Sequence, residues 1–210
     1  MRLTARIRRS DIFTALWALG MGLFYIATAG GGFPLDDSWI HQTYGRNLAQ
    51  LGEWAFTPGI PSTASTSPLY TILLAAGYWL GVPYAIWTHG LGIACLIAAG
   101  WLGARMGEQL APDTANIALY SGLTVVSAWH LLWAAASGME TMLFSLLTLV
   151  LIWLSWRELD PARAKTSRAL AGRGALFGLT AALAVLARPE GVLLVGLIGL
   201  ALIAARPHMR

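Results

Sequence analysis

Apolar residues run through this chain in long blocks that charge hardly interrupts. No Asp, Glu, Lys or Arg occurs over 54–104, 114–139 or 141–156, and blocks of that length and apolarity require lipid around them. Arg2, Arg6, Arg8 and Arg9 precede an uncharged run over 12–35. This predicts a first span over 12–32, inserted with its amino end in the cytoplasm. Ala27-Thr28-Ala29 also fits a signal-peptide cleavage site, but an uncleaved anchor is the expectation at the head of a multispanning chain. Further spans are predicted over 83–104, 115–136, 141–156, 175–187 and 192–205. The segment 68–81 differs: its fourteen residues reach only about 21 Å as a helix, short of a hydrocarbon core of roughly 30 Å. It is expected to dip in and return, or to lie on the surface.

Between the first span and this short helix lies an outer loop, 33–82. Gly30-Gly31-Gly32-Phe33-Pro34 gives a flexible exit. From Asp36 onward Ile40, Tyr44, Leu48 and Leu51 recur at helical spacing and draw one apolar stripe. Gly52 is the expected stop. The pattern predicts an amphipathic helix on the outer membrane surface, with Asp36 and Asp37 in its first turn, where backbone N–H groups favour carboxylates. The rest of the loop, with Pro58, Gly59, Pro61 and a Ser/Thr cluster, reads as irregular.

The expected class is therefore an all-α membrane protein, one module over 1–210. It has about six spanning helices, a short re-entrant or surface helix, an amphipathic juxtamembrane helix, and its remaining spans over 83–205. Only 11% of the 210 residues are charged, against about 25% in soluble domains. That composition excludes a secreted disulfide scaffold, a soluble nucleotide-binding fold and a nucleic-acid partner. The lone Cys95 offers no disulfide or thiolate metal site. With six spans, twelve of the fourteen Lys and Arg fall on the cytoplasmic side, including those of the loop holding Arg157, Arg163, Lys165, Arg168 and Arg173. Arg46 and Arg188 remain outside, with Asp36, Asp37, Glu53, Glu140 and Glu190, half of the ten acids.

These exceptions are the candidate chemistry. Two adjacent aspartates exceed what a helix cap needs, and His41 and Arg46 follow on the same helix. Glu140 lies in Ser137-Gly138-Met139-Glu140 and belongs either to a solvated turn or to a site. Arg188-Pro189-Glu190-Gly191 joins two helices expected to hold about fourteen residues each, too short to span. Arg188 is thus expected below the outer surface, paired with Glu190 or with a phosphate. His130 and His89 lie in the outer parts of spans; His130 reads as a packing residue, and His208 belongs to a basic tail. A divalent ion shared by Asp37 and Glu140 is compatible with the residues, though no metal-ligand spacing occurs. Tryptophans and tyrosines near span ends form an interfacial belt, and the abundant Gly and Ala fit close helix packing in lipid. Carboxylates above a recessed cation suit transfer from a lipid-linked phosphate donor. One acid would deprotonate an acceptor hydroxyl while the cation stabilises the departing phosphate, with inversion as in base-assisted glycosidases.

Asp36-Asp37-Ser38-Trp39-Ile40-His41, Tyr44-Gly45-Arg46-Asn47-Leu48, Phe56-Thr57-Pro58-Gly59 and Thr66-Ser67-Pro68-Leu69 together resemble the first outer loop of integral-membrane GT-C glycosyltransferases. The likeness is strongest to arabinofuranosyltransferase-like members and more distant to protein O-mannosyltransferases and the lipid A aminoarabinose transferase. Ser137-Gly138-Met139-Glu140 and Leu186-Ala187-Arg188-Pro189-Glu190-Gly191 resemble two later signatures in the same order. The resemblance implies Asp36 as the base with Asp37 beside it. It implies Arg188, Glu140 and His89 at the donor phosphate, and Arg46, Tyr44 and His41 in acceptor binding or loop support. It also implies a polyprenyl-phosphate sugar donor, a glycan, lipid or protein acceptor, and a place in the cytoplasmic membrane. Relatives continue for several more helices. By the same resemblance the chain corresponds to an amino-terminal portion, active as part of a longer enzyme or with a second polypeptide, or it is a non-catalytic subunit. A small transporter is the alternative of another class, and it calls for ionisable pairs near mid-bilayer on broken helices.

Overall fold

The computed structural model describes residues 8–30, 32–159 and 167–205, and among them it contains helices and no strands. Expectations placed on Arg2, Arg6, Gly31, Arg163, Lys165, Arg206, His208 and Arg210 lie outside the described residues. The helices are α1 (Arg9–Thr28), α2 (Asp36–Leu51), α3 (Pro68–Trp79), α4 (Tyr84–Leu110), α5 (Ile117–Ser127), α6 (Trp129–Ala136), α7 (Thr141–Leu159), α8 (Ser167–Ala187) and α9 (Gly191–Ala205). Their boundaries follow local chemistry. Pro68 opens α3 at a position where a missing N–H costs nothing. Gly52 and Gly81, both at positive φ, end α2 and α3, because glycine enters the left-handed region without a Cβ clash.

Among the described residues three helices, α1, α4 and α7, are long and apolar enough to cross a membrane, and a fourth span results if α5 and α6 are one broken crossing. The expected count of six is not supported. The predicted span over 115–136 is interrupted at Ala128, whose extended backbone bends α6 by 57° from α5. Helix α9 has 15 residues, about 22 Å, short of the hydrocarbon thickness, and the apolar stretch Ala171–Ala187 of α8 is likewise too short on its own to count as a span. In the other direction, α4 runs on past 104 to Leu110 and carries Arg105 and Glu108 within the helix.

The chain packs as two compact units, one drawn from 1–39 and 82–142, the other from 40–81 and 143–210. In the first, α1, α4, α5 and α6 form a bundle whose contacts run through glycines. Gly100, Gly103 and Gly107 share one face of α4, and a Cβ on them would collide with Val126, Val125 and Ser121 of α5. A Cβ on Gly92 would run into the Ala135 carbonyl oxygen of α6. Such small-residue seams let helix backbones approach in lipid, where the hydrophobic effect supplies no force between helices. Polar ties fix the register. Asp11, only 4% exposed, accepts from Arg105 Nη2 at 2.5 Å, and its carbonyl accepts from Trp101 Nε1 at 2.9 Å. In the second unit α7, α8 and α9 bury Leu151, Ala181 and Ala184 among Phe144, Leu147, Phe177 and Leu194. Arg173 on α8 pairs with Glu158 on α7 at 2.7 Å.

Candidate functional site

Helix α2 begins with the two aspartates. The Asp36 carboxylate accepts the N–H of Asp37 at 3.0 Å, satisfying one of the donors a helix start leaves over, and both side chains are exposed. Ser38, the next residue, is fully buried, and its hydroxyl donates to the carbonyl of Ser137 at 2.8 Å. That bond, across 99 positions of sequence, ties the aspartate-bearing turn to the turn that carries Glu140. The start of the first signature, 36–39, is therefore joined to the second signature within one unit.

The Ser137–Glu140 turn is built for close approach. Gly138 sits at φ 78°, and the Phe33 ring lies against it so tightly that a Cβ there would be 2.5 Å from Phe33 Cδ1. The Ser137 hydroxyl donates to the Ala134 carbonyl at 2.9 Å and closes the end of α6. Glu140 is 3% exposed, so the turn is an interior one and the solvated alternative is set aside. Phe33 also contacts Trp39, Tyr84 and His89, with ring centroids 5.3, 6.1 and 5.2 Å away. His89, on α4, is buried. Beside this cluster lies a cavity of about 240 Å³, walled by Tyr25, Phe33, His89, Trp133 and Ser137. Its ring faces and histidine can hold a partly apolar, partly hydroxylated group.

In the second unit the rest of α2 does not use its apolar stripe alone. Ile40 and Leu48 are half-buried and Leu51 is exposed, while the polar His41, Gln42 and Asn47 are buried with Tyr44. The reason is the irregular segment 52–67. The Tyr44 hydroxyl accepts the Ala64 N–H at 2.9 Å and shares a hydrogen bond with the Ser62 hydroxyl at 2.5 Å. Asn47 donates to the carbonyls of Ala55 and Phe56 at 2.9 and 3.1 Å. His41 Nδ1 meets Ser65 at 3.0 Å, and Ser65 meets Thr71 at 2.7 Å. Backbone without a helix must find partners elsewhere, and α2 supplies them. His41 and Tyr44 thus support the loop, and Arg46 is exposed.

Arg188 closes the third signature, also in the second unit. Its carbonyl accepts from Gly191 N at 2.9 Å, and a Cβ on Gly191 would lie 2.7 Å from the Ala184 carbonyl oxygen, so proline and glycine shape a tight turn between α8 and α9. Arg188 Nε lies 3.6 Å from Glu190 Oε2, and the Glu190 side chain is 62% exposed. The neighbours across Pro189 therefore do face each other, as an ion pair of the weak, solvent-facing kind. No group of three or more His, Cys, Asp or Glu able to hold a metal occurs among the described residues. His130 is exposed on α6, not packed as expected. Sequence reasoning passed over Ser38, Phe33 and Trp133, which carry no chemical signature. The pairing of a glycine in a polar turn with an aromatic after the glycine exit was the one available hint.

Comparison with known proteins returned no matching family model, no matching curated protein and no matching solved structure.

Proposed function

We propose that this chain is a membrane glycosyltransferase of GT-C type, or its amino-terminal part, which moves a sugar from a polyprenyl-phosphate to a hydroxyl acceptor with inversion. The observation that carries the reading is the Ser38–Ser137 bond, which holds the exposed aspartate turn to the turn bearing buried Glu140, beside a cavity lined by His89 and aromatic rings. In this reading Asp36 takes the acceptor proton as general base and Asp37 supports it. Glu140 and His89 serve the donor end. Arg188 offers its planar fork of donors to the donor phosphate, a role carried by the sequence signature. A divalent ion at the acids is an addition the chemistry would accept.

The arrangement of the bilayer belongs to the same proposal. The amino terminus is cytoplasmic and the aspartate turn faces the opposite side, because the basic residues then gather inside. The spans beyond the three or four long helices are completed by short, paired or re-entrant segments. The transporter alternative gains little. The broken α5–α6 helix is the feature it would use, but 115–136 contains no Asp, Glu, Lys or Arg.

The test is transfer from a panel of radiolabelled polyprenyl-phosphate monosaccharides in membranes carrying the wild type or Asp36→Asn at equal abundance. The reading requires transfer by the wild type and its loss, by a factor of at least about 10², in the variant. Equal transfer by both refutes it.

A further inference from the structure

A second cavity, of about 540 Å³, lies in the first unit at the amino-terminal end of α1 and is lined by Arg8, Arg9, Phe13, Glu108, Ile117 and Leu119 among others. It does not include the aspartate turn or the aromatic cavity. Its rim is cationic. Arg8 pairs with Glu108, whose other oxygen lies 3.7 Å from Arg105 Nη1, and Arg105 also neutralises Asp11. Of the charged residues that line the cavity, Arg8 and Arg9 outnumber Glu108 by one, and Arg9 is exposed at the rim. The first turns of α1 and α5 border the same space, and the positive ends of their helix dipoles add to the potential there. Below the rim the wall is apolar: Phe13 is half-exposed, and Ile117 and Leu119 continue it.

An inorganic anion would use only the rim. A molecule with a phosphate head and an apolar body would use both, and the end of a membrane-crossing helix is where such molecules stand. We propose that this cavity binds the phosphate headgroup of an anionic phospholipid, with Arg9 donating to phosphate oxygens and Phe13, Ile117 and Leu119 lying along the first acyl carbons. The proposal is independent of the transferase reading.

The full chain is placed in phosphatidylcholine nanodiscs doped with phosphatidylglycerol, and retained lipid is counted by native mass spectrometry after partial delipidation. The wild type is expected to retain one phosphatidylglycerol. Arg9→Gln is expected to weaken retention about tenfold, the size of one lost charge-assisted hydrogen bond, with Arg9→Lys recovering most of it. Leu119→Glu, which sets a carboxylate on the wall, is expected to abolish it. Unfolding midpoints of the variants check that each is folded. No preference for phosphatidylglycerol in the wild type, or equal retention by the wild type, Arg9→Gln and Leu119→Glu, overturns the proposal. Displacement of the lipid by inorganic phosphate at matched concentration overturns the lipid assignment and leaves a free-anion site.

Discussion

The bundle of α1, α4, α5 and α6 and the segment from Ile40 to Gly81 are held by opposite means. In the bundle, glycines remove side chains so that backbones touch, and few polar bonds are needed because each helix satisfies its own backbone. In the segment, sixteen residues from 52 to 67 have almost no regular structure, and their peptide groups are met by Tyr44, Asn47, Ser62 and Glu53. The bundle therefore tolerates the loss of a hydrogen bond but not an added atom. The segment should behave the other way.

Four substitutions test this contrast. Gly92→Leu drives a side chain into the Ala135 carbonyl, where backbone cannot yield, and is expected to exceed the usual overpacking cost of about 1–3 kcal/mol and to leave little folded protein by size-exclusion chromatography. Gly138→Ala meets both a positive φ and the Phe33 ring; a loss of about 2 kcal/mol is expected, read as a lower unfolding midpoint. Tyr44→Phe removes the hydroxyl that serves Ala64 and Ser62. It should cost about 1–2 kcal/mol, and amide exchange should rise over 55–65 while the bundle stays protected. Glu53→Gln weakens the bond from Gly59 N, 2.7 Å in length, and at this half-exposed site should change stability by less than about 0.5 kcal/mol. A Tyr44→Phe defect that opened the bundle as well, or a mild Gly92→Leu, would break the comparison.

Much of the segment between α1 and α4 could be read beforehand. The start of α3 at Pro68, its shortness, the stop at Gly52 and the helix after Asp36 all follow from local chemistry that neighbouring residues determine. The buried face of α2 could not. Periodicity points to Ile40, Tyr44, Leu48 and Leu51, whereas burial of Ser38 depends on Ser137 and that of His41 on Ser65, contacts that only the folded chain creates. The break at Ala128 was also illegible, since neither Gly nor Pro marks it. For the candidate site, the signatures located the turns and the acids. The roles of Phe33 and Ser38 as the pieces that join them came from tertiary geometry alone.

The Asp11–Arg105 pair has a consequence for how the protein is made. The two residues are 94 positions apart, so at 5–20 residues per second the ribosome delivers the countercharge roughly 5–20 s after the aspartate. Throughout that interval the carboxylate relies on partners within its own helix start, where it accepts the Arg8 N–H at 3.0 Å. The first helix therefore finds Arg105, and with it its final register against α4, only once α4 has been made.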